Sequence, residues 1–493
     1  MLVRKNIANE LLRIVKEKGW ELPIEQIHVE QPPRMDMGDF ATTISLVLAR
    51  KLKRKPLDIA EDIAKEINLS YIDKVIPLPN GYINFFFSKS FLSDSFKELL
   101  QDPKSFLSNH EGVGKKALVE FVSANPTGPL TVANGRSAPI GDTIANLLSL
   151  QGYTCHREFL INDMGSKAQK IAISVFYFYE ILHNLKPEIP EEIYPGDYIP
   201  ELAKKLNEKY DKTLISKDKS EAINETKAFC LAEMICEMKK DLENFHIHFD
   251  NWFKESSLHN GYLEETFNIL TEKHLTREED GAKWLKTTAF GDDKNRVLIR
   301  SNGIPTYLMG DIAYHRNKLD RGYDICVDVW GADQSHVKPL MWSLNALGFE
   351  SSQLRTITFQ LVHLFKNGKE VKMSKSGGNY ITLHDLLDSV GTDVSRFVYL
   401  SRSNEQHLNF DLDITKNRDP KNPVFYAQYA YTRCQGIKRE AESKNIATPD
   451  QLSEIDISLL VKPSELQILR HFAQMPELID KACHTLAPHM ISQ

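Results

Sequence analysis

The sequence predicts a multidomain α/β protein whose largest part is a Rossmann-like, doubly wound domain. A short apolar run at residues 117–122 is typical of a buried strand, and a loop, a helical pattern and a second strand pattern at 153–161 follow it. Strand, loop, helix and strand in that order form a βαβ unit, which builds parallel sheets. The same alternation returns at residues 304–361, and beyond residue 405 only helical periodicity is visible.

Length and local composition place the domain boundaries. The chain has 493 residues, and at roughly 150 residues per domain it holds about three domains. We expect an α+β domain at residues 1–110, the doubly wound domain at 111–405 with a helical insertion at about 165–290, and a helical domain at 406–493. The chain ends within a helical pattern and shows no glycine or proline stop signal there. We therefore expect the last domain to be truncated.

Composition excludes several classes of protein. Lysines and arginines number 61 against 67 aspartates and glutamates, so the formal net charge is −6, and 42% of the residues are hydrophobic. These values are typical of a soluble globular protein, and no run approaches the ~18 apolar residues of a membrane helix. The six cysteines show neither a CxxC pair nor a zinc spacing. We therefore expect a cytoplasmic protein without zinc, without a structural metal and without a membrane partner.

The loop after the first predicted strand of the doubly wound domain is a candidate nucleotide site. It reads SANPTGPLTVANG, and Gly128, Ala133 and Gly135 are small enough for backbone N–H groups to approach a phosphate. Many loops between a strand and a helix carry glycine and proline only to turn the chain. From this loop alone, a nucleotide site and an ordinary turn are equally supported.

A lysine-rich segment follows the last predicted strand of the sheet. Residues 372–376 read KMSKS and precede two glycines. Two ammonium groups in a loop bounded by glycines can stabilise the negative charge that develops on a departing pyrophosphate. The alternative interpretation is a solvated surface loop, which is what most lysine clusters are.

Together, the two loops and the sequence around them resemble the arginyl-tRNA synthetases, a family of class I aminoacyl-tRNA synthetases. The resemblance covers essentially the whole chain. It is carried by ten segments: GDFATT (38–43), GYINF (81–85), VEFVSANPTGPL (119–130), REFLINDMGSKAQ (157–169), PGDYI (195–199), FGDDKNRVLIRSNGIPTYLMGDIAYH (290–315), WGAD (330–333), KMSKSGGNYITLHDLL (372–387), LNFDLD (408–413) and NPVFYAQYAYTR (422–433).

The resemblance implies both a domain arrangement and a reaction. The N-terminal α+β domain would bind the D-loop of a tRNA, the Rossmann-like domain would be catalytic, and the C-terminal helical domain would bind the anticodon. The implied reaction is ATP-dependent ligation of L-arginine to tRNA(Arg) through an arginyl-adenylate, with release of AMP and pyrophosphate.

The resemblance also implies a set of arginine-binding residues. Glu120 and Asn125, at the end of the first strand, would hold polar groups of the substrate, and Tyr307 and Asp311 would read its guanidinium group. A guanidinium presents five donors in a planar fork, which carboxylates accept best. The spacing of Tyr307 and Asp311 puts both on one face if that segment is helical. Without the resemblance, Glu120 is a charge at the edge of a strand and Asp311 is a helix N-cap.

ATP-binding and catalytic residues follow from the resemblance in the same way. Lys372 and Lys375 would be catalytic, together with Thr131 and Asn134, which stand where the family usually has histidines. Both replacements keep a hydrogen-bond donor without an ionisable ring. For His336, a nucleotide contact and an ordinary position at a helix start are equally supported. The implied ATP-binding residues are Pro126, Gly128, Thr131, Asn134, Gly135, Asp333, Met373, Ser374 and Lys375.

Two segments are candidate tRNA contacts. Tyr82 and Asn84 lie on one face of an N-terminal strand, and an aromatic ring beside an amide is a common way to read an unstacked base. The alternative is that Tyr82 packs at the edge of the core. Tyr426 and Tyr429 lie three residues apart on a helical pattern and correspond to anticodon-loop contacts in the family.

Two functional hypotheses remain. The first is an active enzyme that acts as a monomer on tRNA(Arg), L-arginine and ATP, with Mg²⁺ accompanying the ATP and with no bound prosthetic group. The second is a catalytically impaired paralogue that binds tRNA or arginine without charging, and Thr131 and Asn134 motivate it. The presence of Asn125, Tyr307 and Asp311 counts against the second hypothesis.

Overall fold

The computed structural model of the protein describes residues 2–331, 337–371, 381–416, 422–446 and 455–493. The chain forms two compact units. The first unit comprises Met1–Glu111, Leu150–Gly152 and Gln435–Thr485, and the second comprises Gly112–Ser149, Tyr153–Cys434 and Leu486–Gln493. No helix among the described residues is both long and apolar enough to cross a membrane.

The helices and strands of the described residues are numbered in chain order. The helices are α1 Val3–Glu17, α2 Ile44–Leu52, α3 Pro56–Glu66, α4 Lys89–Gln101, α5 Pro103–Leu107, α6 Val132–Leu150, α7 Ser166–Leu182, α8 Tyr198–Tyr210, α9 Lys219–Asn244, α10 Tyr262–Glu272, α11 Tyr307–Asp320, α12 Val337–Leu347, α13 Leu383–Val390, α14 Thr392–Leu400, α15 Leu412–Lys416, α16 Pro423–Ser443 and α17 Pro463–His484. The strands are β1 Val29–Glu30, β2 Phe40–Thr42, β3 Ile72–Pro77, β4 Ile83–Phe87, β5 Lys116–Glu120, β6 Thr154–Ile161, β7 Asn251–Lys254, β8 Thr276–Glu279, β9 Ala282–Leu285, β10 Arg296–Ile299, β11 Ile325–Gly331, β12 Leu354–Phe359, β13 Val362–Lys366, β14 Lys369–Glu370 and β15 Leu408–Asp411.

The first unit is built on an antiparallel sheet with the strand order β1-β2-β4-β3. Helix α1 buries Ile7, Leu11 and Ile14, whose helical spacing places them on one face towards the core. Leu469 and Ala473 of α17 belong to the same hydrophobic cluster. The N-terminal helices and strands therefore share one core with the last long helix.

The second unit contains a five-stranded parallel sheet with the order β12-β11-β5-β6-β7. The first of these strands in the chain, β5, lies in the middle, and its residues Ala117, Leu118 and Val119 are fully buried. This order confirms the predicted Rossmann-like, doubly wound fold. Such sheets bind ligands beyond the carboxyl ends of their strands where the strand order reverses, which here is between β5 and β11.

A fully buried arginine fastens helix α6 to the segments that carry β13 and β15. Arg136 has no exposed surface, and its guanidinium donates to the backbone carbonyls of Gln360, Ser403 and Gln406 at 2.7, 3.0 and 2.8 Å. Burial lowers the pKa of Arg136 to about 10. Three carbonyl dipoles thus take the place of a carboxylate partner for this cation.

Two sequence-based expectations were wrong in detail. Strand β7 lies within 165–290, which was expected to be a helical insertion, yet it forms the edge of the parallel sheet beside β6. It has only four residues and none of them is buried, so it lacks the apolar run that marks a buried strand. Strand β15 lies beyond residue 405, where only helices were expected, and it pairs in parallel with β13. Its buried Leu408 and Phe410 alternate with exposed Asn409, but over four residues this alternation is too short to stand out.

Candidate active site

The chain turns sharply where β5 ends. Val122 and Ser123 both adopt left-handed backbone conformations, with φ of +68° and +38°, and this region is strained for a β-branched residue such as valine. The Ser123 hydroxyl donates to Glu120 Oε1 at 2.7 Å and accepts from the backbone N–H of Leu160 at 3.1 Å. The strained turn is therefore tied to the end of β5 and to β6.

A cavity of about 460 Å³ lies beside this turn. Three of the residues predicted for substrate binding line it, namely Asn125, Gly128 and Asn134. A Cβ atom on Gly128 would lie 2.8 Å from the hydroxyl of Tyr198, and that hydroxyl donates to the carbonyl of Thr127 at 2.7 Å. Glycine is therefore needed at position 128 for the loop to lie against Tyr198. Pro126, which was also predicted to bind ATP, is buried and does not line the cavity.

Thr131 and Asn134 bond to each other at the start of α6. The Thr131 hydroxyl donates to Asn134 Oδ1 at 2.8 Å, and the backbone N–H of Thr131 donates to the same oxygen at 3.2 Å. Thr131 is buried, whereas Asn134 lines the cavity. The hydroxyl proton of Thr131 is thus already engaged, and the pair orients the Asn134 amide so that its oxygen faces Thr131.

The segment that follows the lysine-rich stretch is docked against the same loop. Thr131 forms an antiparallel β-bridge with Thr382, and the backbone N–H of Leu383 donates to the carbonyl of Leu130 at 2.7 Å. Gly135 permits the close fit of α6, because a Cβ atom there would lie 2.9 Å from the hydroxyl of Tyr399. Five predicted site residues and the undecided His336 lie outside the described residues: Asp333, Lys372, Met373, Ser374 and Lys375.

Three carboxylates from separate elements form an acidic group at the carboxyl edge of the sheet. Asp163 follows β6, Glu255 follows β7, and Asp311 lies one turn into α11. Burial raises the pKa of Glu255 to about 7, and the negative charges of Asp311 and Asp163 add to the rise. Asp163 is held by Ser256, whose backbone N–H and hydroxyl donate to it at 2.9 and 2.6 Å. The group therefore concentrates negative charge at this edge of the sheet.

Tyr307 and Asp311 share one face of α11, as the spacing predicts. Tyr307 is the first residue of this helix and is 63% exposed. Asp311 lies one turn further on and is half-buried. The Oε1 atom of Glu255 lies beside this turn, because it is 3.2 Å from the point where a Cβ atom on Gly310 would stand.

Glu120 lies beneath the loop and does not line the cavity. It is 4% exposed, and its second oxygen accepts a hydrogen bond from Lys318 of α11. Lys318 also donates to Asp328 of β11 at 2.7 Å. Glu120, Asp328 and His315 are arranged closely enough to hold a metal ion, but the Lys318 ammonium already supplies the positive charge among them. A contact between Glu120 and arginine stays a prediction, and the observed bonds instead tie Glu120 to the turn through Ser123.

The sequence interpretation missed several residues of this site. Glu255 was not considered, since the strand that it follows was not recognised, although a carboxylate directly after a strand is the signal that could have found it. Asp163 and Lys167 lie in the segment 157–169, which supports the family resemblance, but neither residue was given a role. Lys318 was hidden because a lysine in a helical pattern is read as solvated surface.

The predicted tRNA residues of the first unit lie beside a second cavity. Tyr82 and Asn84 both line this cavity, which has a volume of about 470 Å³ and whose wall includes His28 and Met37. Tyr82 is 39% exposed, whereas Asn84 is buried in β4 between β2 and β3. The cavity therefore combines an accessible aromatic ring with an amide at its wall.

The two tyrosines predicted to contact the anticodon loop lie on α16. Tyr426 and Tyr429 are 65% and 48% exposed. The ring of Tyr429 stacks on that of Phe425 with a centroid distance of 6.1 Å. Both hydroxyphenyl groups are therefore accessible on one stretch of helix.

Comparisons with known proteins agree with this architecture. Three family profiles match consecutive parts of the chain: the arginyl tRNA synthetase N terminal domain matches residues 1–87, the catalytic domain of tRNA synthetases class I (R) matches 96–406, and the DALR anticodon binding domain matches 427–493. The arginine–tRNA ligase of Carboxydothermus hydrogenoformans is 38% identical, with 99% of this chain and 88% of that protein covered. The arginine–tRNA ligase of Caldanaerobacter subterraneus subsp. tengcongensis is 41% identical with the same coverage.

A solved structure gives the same fold at lower sequence identity. The arginyl-tRNA synthetase of Thermus thermophilus aligns with a TM-score of 0.76 at 18% identity, covering 100% of this chain and 90% of that one. This likeness supports the three-part architecture alone, while the profiles and the two relatives decide the family. The chain belongs to the arginyl-tRNA synthetases.

Proposed function

We propose that this protein ligates L-arginine to tRNA(Arg) with ATP, through an arginyl-adenylate, and releases AMP and pyrophosphate. The acidic group of Asp163, Glu255 and Asp311 is the observation that carries this proposal. Its mutual repulsion is visible in the pKa of Glu255, which burial and the two neighbouring carboxylates raise to about 7. A substrate guanidinium placed there would relieve the repulsion and donate bidentate hydrogen bonds to the carboxylates.

The arginine side chain would thus be read by charge and by geometry together. Asp163 is held in place by Ser256, so its position is fixed before the substrate arrives. Tyr307 and Asp311 reach the substrate from one face of α11, and Asn125 reaches it from the loop after β5. A site that recognises a cation with planar donors rejects neutral isosteres, because a neutral group does not offset the concentrated negative charge of the three carboxylates.

ATP would lie in the 460 Å³ cavity at the start of α6. Gly128 and Asn134 line the cavity where the loop would approach the phosphates, and Lys167 and Lys170 bring positive charge to the cavity wall. Gly135, predicted to bind ATP, faces Tyr399 behind the loop. Among the described lining residues Glu192 is the one carboxylate, and it pairs with Lys170. This wall does not build an oxygen cage for Mg²⁺, so the ion would be carried mainly by the phosphate oxygens, whose charge it neutralises.

Catalysis would rest on positioning and on electrostatics. The arginine carboxylate attacks the α-phosphorus in line with the departing pyrophosphate, and a terminal ribose hydroxyl of the tRNA then attacks the adenylate. No side chain needs to act as a nucleophile. Lys372 and Lys375 would stabilise the charge of the pyrophosphate. The bridge between Thr131 and Thr382 attaches the segment after these lysines to the nucleotide loop.

The tRNA would be bound at two further places. The cavity at Tyr82 and Asn84 has the size and chemistry for one unstacked base, with the ring as a stacking surface and the amide as a hydrogen-bonding partner. Tyr426 and Tyr429 offer stacking surfaces for the anticodon loop. The protein would act as a cytoplasmic monomer.

The test compares arginine with citrulline, a neutral analogue of the same shape, in tRNA charging and in ATP–pyrophosphate exchange in the presence of tRNA(Arg). We expect charging with arginine and none with citrulline. Asp311→Asn should raise the KM for arginine by roughly 30-fold or more, which corresponds to a loss of about 2–5 kcal/mol. Asp320→Asn, at the exposed far end of the same helix, is the matched control and should change this KM less than about twofold.

The same assay separates the two hypotheses of function. An impaired paralogue would bind arginine or tRNA(Arg) and yield no charged product under conditions in which the folded protein is intact. That hypothesis is not favoured, because relatives that are 38% and 41% identical over 99% of this chain are arginine–tRNA ligases. Equal charging with citrulline would refute the acidic group as the arginine site.

A further inference from the structure

Helix α11 carries two pairs of functional side chains along one face. Tyr307 and Asp311 lie one turn apart near its start, at the proposed arginine site. His315 and Lys318 follow on the same face and are buried, at 2% and 0% exposure. The helix therefore connects the substrate pocket directly to a set of charged groups inside the protein.

Both ring nitrogens of His315 face hydrogen-bond acceptors. Nδ1 lies 2.7 Å from the backbone carbonyl oxygen of Asp311, and a carbonyl oxygen can only accept. Nε2 lies 2.5 Å from Asp328 Oδ2 and 3.5 Å from the Lys318 ammonium, so the carboxylate is much the closer partner. The other oxygen of Asp328 accepts from Lys318 at 2.7 Å. Both nitrogens can donate at once only if the imidazole carries two protons.

The charges around His315 balance in that state. Asp328 on β11 and Glu120 on β5 both face the Lys318 ammonium of α11. Burial raises the pKa of Glu120 and Asp328 adds to the rise, while Lys318 and His315 oppose it. Burial also raises the pKa of Asp328, but Lys318 and His315 outweigh it and lower the pKa to about 2. With both carboxylates ionised, one ammonium would leave a net negative charge that is almost wholly buried. An imidazolium brings the sum to zero, which avoids the large cost of an uncompensated interior charge.

Further groups surround the cluster. Glu158, which interacts electrostatically with Lys318, is paired with Arg321 through hydrogen bonds of 2.6 and 2.8 Å. The ring of Trp330 lies edge-on to His315 at 5.8 Å and adds an apolar surface. The cluster therefore lies among an apolar ring and a charge that is already paired.

The cluster touches both walls of the proposed arginine pocket. On one side His315 holds the carbonyl of Asp311 and thereby fixes the turn from which the Asp311 carboxylate projects. On the other side Lys318 donates a hydrogen bond to Glu120. Glu120 also accepts a hydrogen bond from the hydroxyl of Ser123, in the strained turn before Asn125. One buried unit thus sets the position of two separate substrate-binding elements.

We propose that His315, as an imidazolium with both N–H groups engaged, is a positioning residue that fixes Asp311 for guanidinium recognition. This inference rests on the proposed function, because Asp311 is taken as an arginine contact. His315 itself does not touch the substrate. It acts through the carbonyl of Asp311 and through the carboxylate of Asp328.

The kinetic test is His315→Gln in the full chain. Both donors of a glutamine amide lie on one nitrogen, whereas the two acceptors face different ring nitrogens of His315. We therefore expect one of the two bonds to be lost and the KM for arginine to rise about tenfold, on the scale of one charge-assisted hydrogen bond. The KM for ATP should stay within about twofold. Tyr262→Phe is the matched control, because it removes a 2.6 Å hydrogen bond to Asp320 at the other end of α11 and should leave both KM values unchanged. Equal rises of both KM values would overturn the positioning role.

A spectroscopic test reads the proton count without any activity. In protein labelled with ¹⁵N-histidine, we expect one imidazole with two protonated nitrogens at pH 8, in a signal that is missing from His315→Gln. Asp328→Asn should convert this signal to that of a neutral ring with one proton, and it keeps the test open if the first variant does not fold. A neutral, singly protonated His315 in the unmodified protein would overturn the inference. Absence of arginine charging by the unmodified protein would refute the proposed function instead, while the signal still decides the state of His315.

Discussion

The hydroxyl of Thr131 donates a 2.8 Å hydrogen bond to the side-chain oxygen of Asn134. These two residues occupy the places where the family usually has histidines, and the structure shows that they work as a pair. Thr131 is buried directly before the first residue of α6, whereas Asn134 lines the cavity. If the proposed nucleotide site is correct, the donor offered to a phosphate is the amide nitrogen of Asn134, since its oxygen accepts from Thr131.

The pair predicts unequal effects of two substitutions. Asn134→Ala should lower kcat for ATP–pyrophosphate exchange by about 10²–10³, the scale of one lost donor to a developing charge. Thr131→Val keeps the volume and removes the bond, so it should lower stability by about 0.5–2 kcal/mol as a lost helix cap and reduce kcat less than Asn134→Ala does. Denaturant unfolding and initial rates measure the two quantities. A larger kcat loss for Thr131→Val would show that threonine is the contact.

Arginine binding should weaken as the pH falls through 7. The pKa of Glu255 is raised to about 7, and the protonated carboxyl no longer attracts a guanidinium. For a pKa near 7, the KM for arginine should rise about tenfold between pH 8 and pH 6. Initial rates across this range measure it, and Glu255→Gln should give a higher KM that no longer varies. An arginine KM that is flat between pH 6 and pH 8 in the unmodified protein would contradict this role of Glu255.

The same carboxyl should lower the stability of the protein above neutral pH. Its folded pKa of about 7 exceeds its ordinary value of 4.5, so the folded state holds an extra proton between these values and stability falls as the pH rises through that window. Glu255→Gln should therefore raise the free energy of unfolding by about 1–3 kcal/mol at pH 8 and by much less at pH 4.5. Urea unfolding at both pH values tests this. Glu243→Gln, at an exposed position, is the control and should change neither value appreciably.

The far end of α11 is locked by a buried ion pair. Arg321 donates to both oxygens of Glu158, a residue with no exposed surface. Arg321→Met would leave that carboxylate without its cation, so we expect a loss of about 3–5 kcal/mol in stability. Lys204→Met breaks the exposed pair with Glu201 and should cost less than about 1 kcal/mol. Similar losses for the two variants would show that the buried pair has no special weight.

Sequence alone predicted the parts of the fold that repeat a pattern over many residues. The βαβ order around β5, α6 and β6 was recognisable because a buried strand and a long helix each leave a clear periodicity. Strand β7 was missed, since an edge strand of four half-exposed residues leaves almost no hydrophobic signal. Because β7 was not predicted, Glu255 was not considered either, since the interest of that carboxylate depends on its place at the end of a strand.

The candidate site was predicted as separate residues and not as an arrangement. The spacing of Tyr307 and Asp311 predicted their common helix face, and the structure bears out that face. No local pattern shows that Lys318 lies between Glu120 and Asp328, since these three residues come together only through pairing of β5 with β11 and packing of α11. The mutual bond of Thr131 and Asn134 was likewise not expected, although their spacing is that of a helix cap.

Arg136 illustrates a different way in which a side chain can constrain its surroundings. Within the part of the chain that the structure describes, its guanidinium donates to the backbone carbonyls of residues 360, 403 and 406, and every amino acid supplies a carbonyl. These contacts therefore place no demand on the side chains at the three receiving positions, while the donor has no adequate substitute, because a lysine ammonium lacks the planar fork that spans three acceptors. In related chains the constraint should thus fall on one position of four, and a search for paired changes between position 136 and its partners should find none.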